Sequence, residues 1–144
     1  MIIPLVIMQL GIYSDYWGGG IADIVYDPGK YVMGALFDLS VQELELLDQK
    51  VEREVDRSGT EIGVYKRVTV KVAPLGKGQP VVAVTYQGVS VDRNHIPPTQ
   101  HYMDLLTQGA CVQGLSMMWL SYLQSFDTQP GRKPRRAAKA EAVA

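Results

Sequence analysis

The chain opens on a near-continuous apolar run, Ile2 to Tyr13, rich in Ile, Leu and Val and short enough to predict a buried strand rather than a helix. Two further apolar stretches, Ile21 to Tyr26 and Tyr31 to Leu39, flank the turn-forming triplet Asp27-Pro28-Gly29 and read as two strands joined there. The period then changes. Ser40 has the marks of a helix N-cap, with Glu43 three positions on to close a capping box and Leu39 and Leu44 placed as a hydrophobic staple. Leu44, Leu47, Val51 and Val55 follow at helical spacing, so a helix is expected to run to the turn over Asp56 to Gly59. Val68, Val70 and Val72 next alternate with Arg67, Thr69 and Lys71, and Val81 to Tyr86 answers them across Pro74 to Gln79, which predicts a hairpin. Beyond Pro97-Pro98, Thr99 caps a helix carrying Tyr102, Leu105 and Leu106 that Gly109 ends or crowds, and Ser116 opens a last helix within Leu115 to Phe126.

Strands, helix, hairpin, helices in that order predict an α+β fold with an antiparallel or mixed sheet, not a doubly wound nucleotide fold. With 144 residues, 47% of them apolar, the chain has material for one packed core. From Thr128 onward Pro, Gly, Lys, Arg and Ala dominate and no apolar period survives, so residues 1–127 are read as one domain and 128–144 as a basic, disordered tail.

Charge sharpens that division. The formal net charge is −1, but five Lys/Arg and one Glu fall in the last thirteen residues, leaving 9 basic against 14 acidic groups, net −5, over residues 1–131. A mildly acidic body disfavours a phosphate-tracking nucleic-acid face, which needs clustered cations. The tail segment Arg132-Lys133-Pro134-Arg135-Arg136 is read as a solubilising terminus, with nucleic acid or an acidic partner as the rival reading. Cys111 is the only cysteine, which points to a reducing compartment and a cytoplasmic location. Met1 to Met8 lacks a positive flank, carries Pro4 and is too short to span a bilayer, so neither a secretory signal nor a membrane partner is expected.

Several chemistries lack their residues. His95 and His101 are the only histidines and have no Cys or carboxylate partners at zinc-site spacing, so no metal is expected. Gly18-Gly19-Gly20 is not the spaced fingerprint of a dinucleotide turn, and Gly76-Lys77-Gly78 lacks the length and Ser/Thr of a P-loop. No Gly-x-Ser-x-Gly elbow occurs, and Cys111 within Gly109-Ala110-Cys111 reads as a small buried helix residue rather than a nucleophile.

At Tyr16-Trp17-Gly18-Gly19-Gly20-Ile21-Ala22 the chain resembles the gamma-glutamylcyclotransferases, which carry a Trp-x-Gly-Gly-Ile/Val-Ala segment entering a small barrel. The likeness continues through Val32 to Leu39, Leu47-Asp48, Tyr65-Lys66-Arg67, Val84-Thr85-Tyr86, and Pro98-Thr99-Gln100-His101-Tyr102-Met103-Asp104-Leu105 with the Gly109-Ala110 pair, all in the family's order. The resemblance implies a small mixed or antiparallel β-barrel with flanking helices. It also implies a cofactor-independent reaction on a small molecule: the substrate's own α-amine attacks its γ-carbonyl, and 5-oxoproline and an amine are released. Such a site needs a carboxylate that takes the ammonium proton and returns it to the leaving amine, and donors for the developing oxyanion.

Two departures bear on that chemistry. The family's Tyr-Gly-Ser-Asn loop is absent, as though it and the first strand were lost or lay upstream, and the Glu of Leu-Asp-x-x-Glu-Gly falls on Val51. Glu52 stands one place late, about 100° around a helix, so the carboxylate is assigned in order to Glu52, Glu61 and Glu54, against the reading that all three are solvated charges. Trp17, Gly18, Gly19, Gly20, Tyr65, Tyr86 and Tyr102 are the substrate-binding candidates that the resemblance implies; the competing reading makes the aromatics core residues and the glycines close-packing positions. Two other classes stay open: a same-fold enzyme with altered chemistry, and a non-catalytic binding protein whose edge strand Ile2 to Leu10 pairs with another copy in a homodimer.

Overall fold

The computed structural model describes residues 1–51, 53–55, 61–89 and 94–130, with 5–7, 53–55 and 61–63 as backbone. Among the described residues nine elements follow one another: β1 (Ile2–Ser14), β2 (Gly19–Met33), α1 (Val41–Val51), β3 (Arg53–Val55), β4 (Glu61–Gly63), β5 (Tyr65–Val72), β6 (Val81–Gly88), α2 (Gln100–Val112) and α3 (Met117–Gln124). The expected α+β class is what forms. The strands pair as three two-stranded sheets, β1 with β2, β3 with β4 and β5 with β6. Among the described residues they do not close into the expected barrel. β1 meets β5 at a single bridge, where Ile2 and Ala73 exchange N–H···O bonds of 2.8 and 2.9 Å. Between β2 and β6 side chains replace a main-chain ladder: the Gly88 N–H donates to Asp23 Oδ1 at 2.7 Å, and Gln87 Nε2 donates to the Ile24 carbonyl at 3.1 Å.

The chain divides into two compact units, Met1–Gln9 with Ala22–Asp92, and Leu10–Ile21 with Arg93–Ala144. In the first unit Ile3, Met8, Met33, Val64 and Val72 are buried. Its main sheet is the β5–β6 hairpin, in register from Tyr65 opposite Gly88 to Val72 opposite Val81, as the alternation of valines predicts. The capping box of α1 is formed reciprocally: the Ser40 N–H donates to Glu43 Oε2 at 2.7 Å, and the Glu43 N–H to Ser40 Oγ at 3.2 Å.

That Ser40 backbone bond holds the Glu43 carboxyl below its ordinary value of 4.5. A depressed carboxyl contributes stability that is present above its unfolded value and lost as pH falls through its folded value. The start of α1 is therefore expected to loosen on acidification with the titration of Glu43, and Glu43→Gln to remove that step. A carbon-detected NMR titration reads both; a Glu43 midpoint at or above 4.5 would contradict it.

Two boundaries differ from the sequence pattern. α1 stops at Val51 rather than at the 56–59 turn, and Val55 lies instead in the short β3–β4 hairpin, where Arg53 pairs with Gly63 and Val55 with Glu61. A β-branched residue serves a strand as well as a helix, and the pairing partner decides. The triplet Asp27-Pro28-Gly29 does not turn the chain: β2 runs unbroken to Met33, with the left-handed backbone at Gly29, φ 85°, held inside the strand. β1 pairs with β2 and is also bonded at Ile2, to Ala73, and at Leu10, whose carbonyl accepts the Ile96 N–H.

In the second unit α2 and α3 pack through Met103 and Ala110 against Trp119 and Leu123, with Leu10 and Ile21 completing the buried set. Thr99 caps α2 through Oγ1, which accepts the Tyr102 N–H at 3.2 Å, and Ser116 caps α3 through the Trp119 N–H at 3.2 Å. Gly109 neither ends nor crowds α2. The helix passes through it to Gly114, whose φ of 68° sets a Schellman end, with Gly114 N–H donating to Cys111 O and Leu115 N–H to Ala110 O. Cys111 is exposed, not buried as its Gly-Ala-Cys setting suggests; it lies one residue, about 100° around α2, from the buried Ala110. Thr128 Oγ1 donates to Gln100 Oε1, and the Gln129 N–H to the Pro98 carbonyl, so the chain stays tied to the start of α2 through these residues. Of the described helices none is long and apolar enough to cross a membrane.

Candidate active site

In the first unit the family-like segments converge on one carboxylate. Asp48 lies in the last turn of α1, on the same side as Leu44 four residues earlier. Its Oδ1 accepts the Tyr86 hydroxyl at 2.5 Å and its Oδ2 lies 3.1 Å from Arg67 Nη1. Arg67 and Tyr86 are direct partners in the β5–β6 register, so both project from one face of that sheet. One register step toward the sheet end on that face, Tyr65 opposes Gly88 and donates its hydroxyl to the Ala22 carbonyl at 2.5 Å. Asp23 Oδ1, which accepts the Gly88 N–H, also accepts the Ile24 N–H at 2.8 Å. Tyr65 and Tyr86, two of the binding candidates, thus sit side by side with their hydroxyls committed to Ala22 and Asp48.

The proton-transfer candidates lie close to this cluster in sequence. α1 runs without a break through Val51, which is half-buried. Glu52 lies outside the described residues. Glu54 and Glu61 occupy neighbouring register positions of the β3–β4 hairpin, Glu54 opposite Ile62 and Glu61 opposite Val55.

The second unit holds the other candidates. The turn after β1 is closed by the Gly18 N–H donating to the Ser14 carbonyl at 2.8 Å and by the Trp17 N–H donating to the buried Ser14 Oγ at 3.3 Å. Gly18 has φ 70°, which a glycine adopts without steric cost. Trp17 stands in a ring cluster, its centroid 5.1 Å from Tyr16, 5.3 Å from Tyr102 and 5.8 Å from His101. The steep Tyr16 and Tyr102 contacts are the edge-to-face kind that aromatic quadrupoles favour. Gly19 and Gly20 serve approach of the chain: a Cβ on Gly19 would lie 2.9 Å from the Pro97 carbonyl oxygen, and one on Gly20 2.0 Å from that of Ile96. Trp17, Tyr102 and the glycines are therefore brought together by the segment 96–102. Among the described residues no group of three His, Cys, Asp or Glu side chains gathers that could hold a metal ion.

Asp48 and Arg67 are the residues that sequence reasoning quoted without nominating. Their signal was the pair of motifs Leu47-Asp48 and Tyr65-x-Arg67, each of which looks like a solvated charge until the register sets Arg67 opposite Tyr86.

The chain aligns with gamma-glutamylcyclotransferases of Bos taurus and Homo sapiens at 27% identity over 117 residues, which is 81% of this chain and 57% of each relative. It thus spans a little over half the length of these curated relatives. A solved gamma-glutamyl cyclotransferase superposes with a TM-score of 0.73 at 23% identity, covering 99% of this chain and 77% of that one. A solved human protein described as uncharacterized gives the same TM-score, 0.73, and covers 76% of its own chain. These two likenesses establish the fold. The AIG2-like family matches residues 31–123, a span that holds α1, the β5–β6 sheet, α2 and all but the last residue of α3, and the chain belongs to that family.

Proposed function

We propose that the protein is a gamma-glutamylcyclotransferase-like enzyme that cyclises a gamma-glutamyl or related amino-acyl amide without a cofactor. The observation that supports it is the meeting of Leu47-Asp48, Tyr65-x-Arg67 and Thr85-Tyr86 at one hydrogen-bonded cluster in a chain of the AIG2-like family. In the proposed reaction the substrate's α-amine forms a bond to its γ-carbonyl carbon as the carbonyl electrons move to oxygen. A carboxylate accepts the proton lost by that amine. Collapse of the oxyanion expels the second amine, which takes the proton back from the same carboxylate, leaving 5-oxoproline or its analogue.

The carboxylate is assigned to Glu52, with Glu61 and Glu54 following in that order. Trp17 and Tyr102 of the second unit, with the turn at Gly18 to Gly20, and Tyr65 and Tyr86 of the first are assigned to substrate binding. A small-molecule substrate in the cytoplasm completes the reading. Purified protein incubated with a panel of gamma-glutamyl amines is expected to release 5-oxoproline from at least one of them. No turnover on any member removes the reading.

A further inference from the structure

Helix α1 is held in an unusual way for a helix beside a sheet. None of its residues is fully buried, and its apolar stripe, Leu44, Leu47 and Val51, is only half covered. Apolar contact of that kind does little to fix rotation about the helix axis, since side-chain contacts of this sort are non-directional. The Asp48 carboxylate supplies the direction. Its two oxygens reach two different donors, the Tyr86 hydroxyl and the Arg67 guanidinium, which face each other across β5 and β6. With Arg67 42% and Asp48 20% exposed, the ion pair is solvent-screened and contributes little to stability. Its value lies in placement. The chain leaves α1 at Val51 and has entered β3 by Arg53, so the segment bearing the proposed acid–base carboxylate starts within one turn of Asp48.

We propose that Asp48 is a positioning residue for the reaction: anchored by Arg67 and Tyr86, it sets the rotation and height of the last turn of α1, the turn that precedes the assigned carboxylate in the sequence. This rests on the cyclotransferase reading above. Asp48 itself stays outside the proton transfer.

Steady-state kinetics on a substrate found in the gamma-glutamyl amine panel, together with amide hydrogen exchange, test it on the intact chain. D48A is expected to lower kcat about tenfold to hundredfold, the scale of a small misplacement at a reacting centre, with KM within about twofold. D48N keeps an oxygen for the Tyr86 hydroxyl and is expected to fall between D48A and the unaltered protein. Y86F, the milder change should D48A fold poorly, is expected to lower kcat several-fold and not to add to D48A in the double variant, as coupled partners do. Exchange should quicken in residues 48–51 while 41–44 stay as they were. A purely structural role would leave kcat per folded molecule unchanged and lower only the melting temperature, and that result overturns the proposal. The arms separate from the functional reading: no turnover by the unaltered protein removes that reading and this inference with it. Turnover by the unaltered protein with an unchanged D48A kcat removes this inference alone.

Discussion

Gly20→Ala is expected to destabilise the second unit by about 3 kcal/mol, the upper end of what overpacking a close contact costs, and to lower the melting temperature by roughly 10 °C. The added methyl would lie 2.0 Å from the Ile96 carbonyl oxygen and 3.2 Å from the Ile96 Cβ, so backbone must move, not the flexible end of a side chain. The segment it pushes is stiff. Pro97 and Pro98 follow, each with φ fixed by its ring, and Pro98 is fully buried. Two main-chain bonds depend on the same approach, Gly20 N–H to the Pro97 carbonyl at 3.1 Å and Ile96 N–H to the Leu10 carbonyl at 2.8 Å, and both lengthen if residues 96–97 retreat. Gly29→Ala is the control: no atom lies within 4 Å of its Cβ position, and only the left-handed φ of 85° resists, at about 1–2 kcal/mol. Melting followed by tryptophan fluorescence should rank Gly20→Ala well below Gly29→Ala. Equal midpoints would contradict the close approach.

The same glycine shows what a sequence can and cannot disclose. That Gly18 to Gly20 mark a special place was legible; that Gly20 is there for Ile96, seventy-six residues on, was not, because the partner is set by tertiary packing. Local rules read well where the interaction is local. Ser40 with Glu43, Thr99 with Tyr102 and Ser116 with Trp119 all cap helices as their spacings predict. They fail where two local signals compete, as at Gly109 and Gly114, of which only the second takes the positive φ that ends a helix. They also fail where pairing overrides pattern, as in β2 across Pro28-Gly29 and in the strand that takes up Val55. The candidate site divides along the same line. Trp17 and Tyr102 could be nominated from motifs, whereas the part played by Asp48 depends on three elements meeting, and no window of sequence contains them all.

Glu52→Gln is expected to reduce kcat on the productive gamma-glutamyl amine by about 100- to 10,000-fold, the contribution of a positioned general acid–base group, while Glu54→Gln and Glu61→Gln stay within about threefold. The order follows from chain geometry. The resemblance asks for a carboxylate three residues after Asp48, and that position is Val51, still helical and half-buried. Glu52 is the next residue in the chain and the Glu nearest in sequence to that position. Glu54 and Glu61 are instead committed to the β3–β4 ladder, opposite Ile62 and Val55, which ties their placement to the hairpin rather than to α1. A Gln keeps the size and a hydrogen-bonding oxygen but cannot carry the proton between the two nitrogens, so the loss should appear in kcat with KM little changed. Placing the carboxylate back one residue, V51E in the E52Q background, should restore part of the rate if the helical register of the family is the one that faces the substrate. A large loss in Glu61→Gln with none in Glu52→Gln would move the acid–base role into the hairpin. No loss in any of the three would exclude these carboxylates from the reaction.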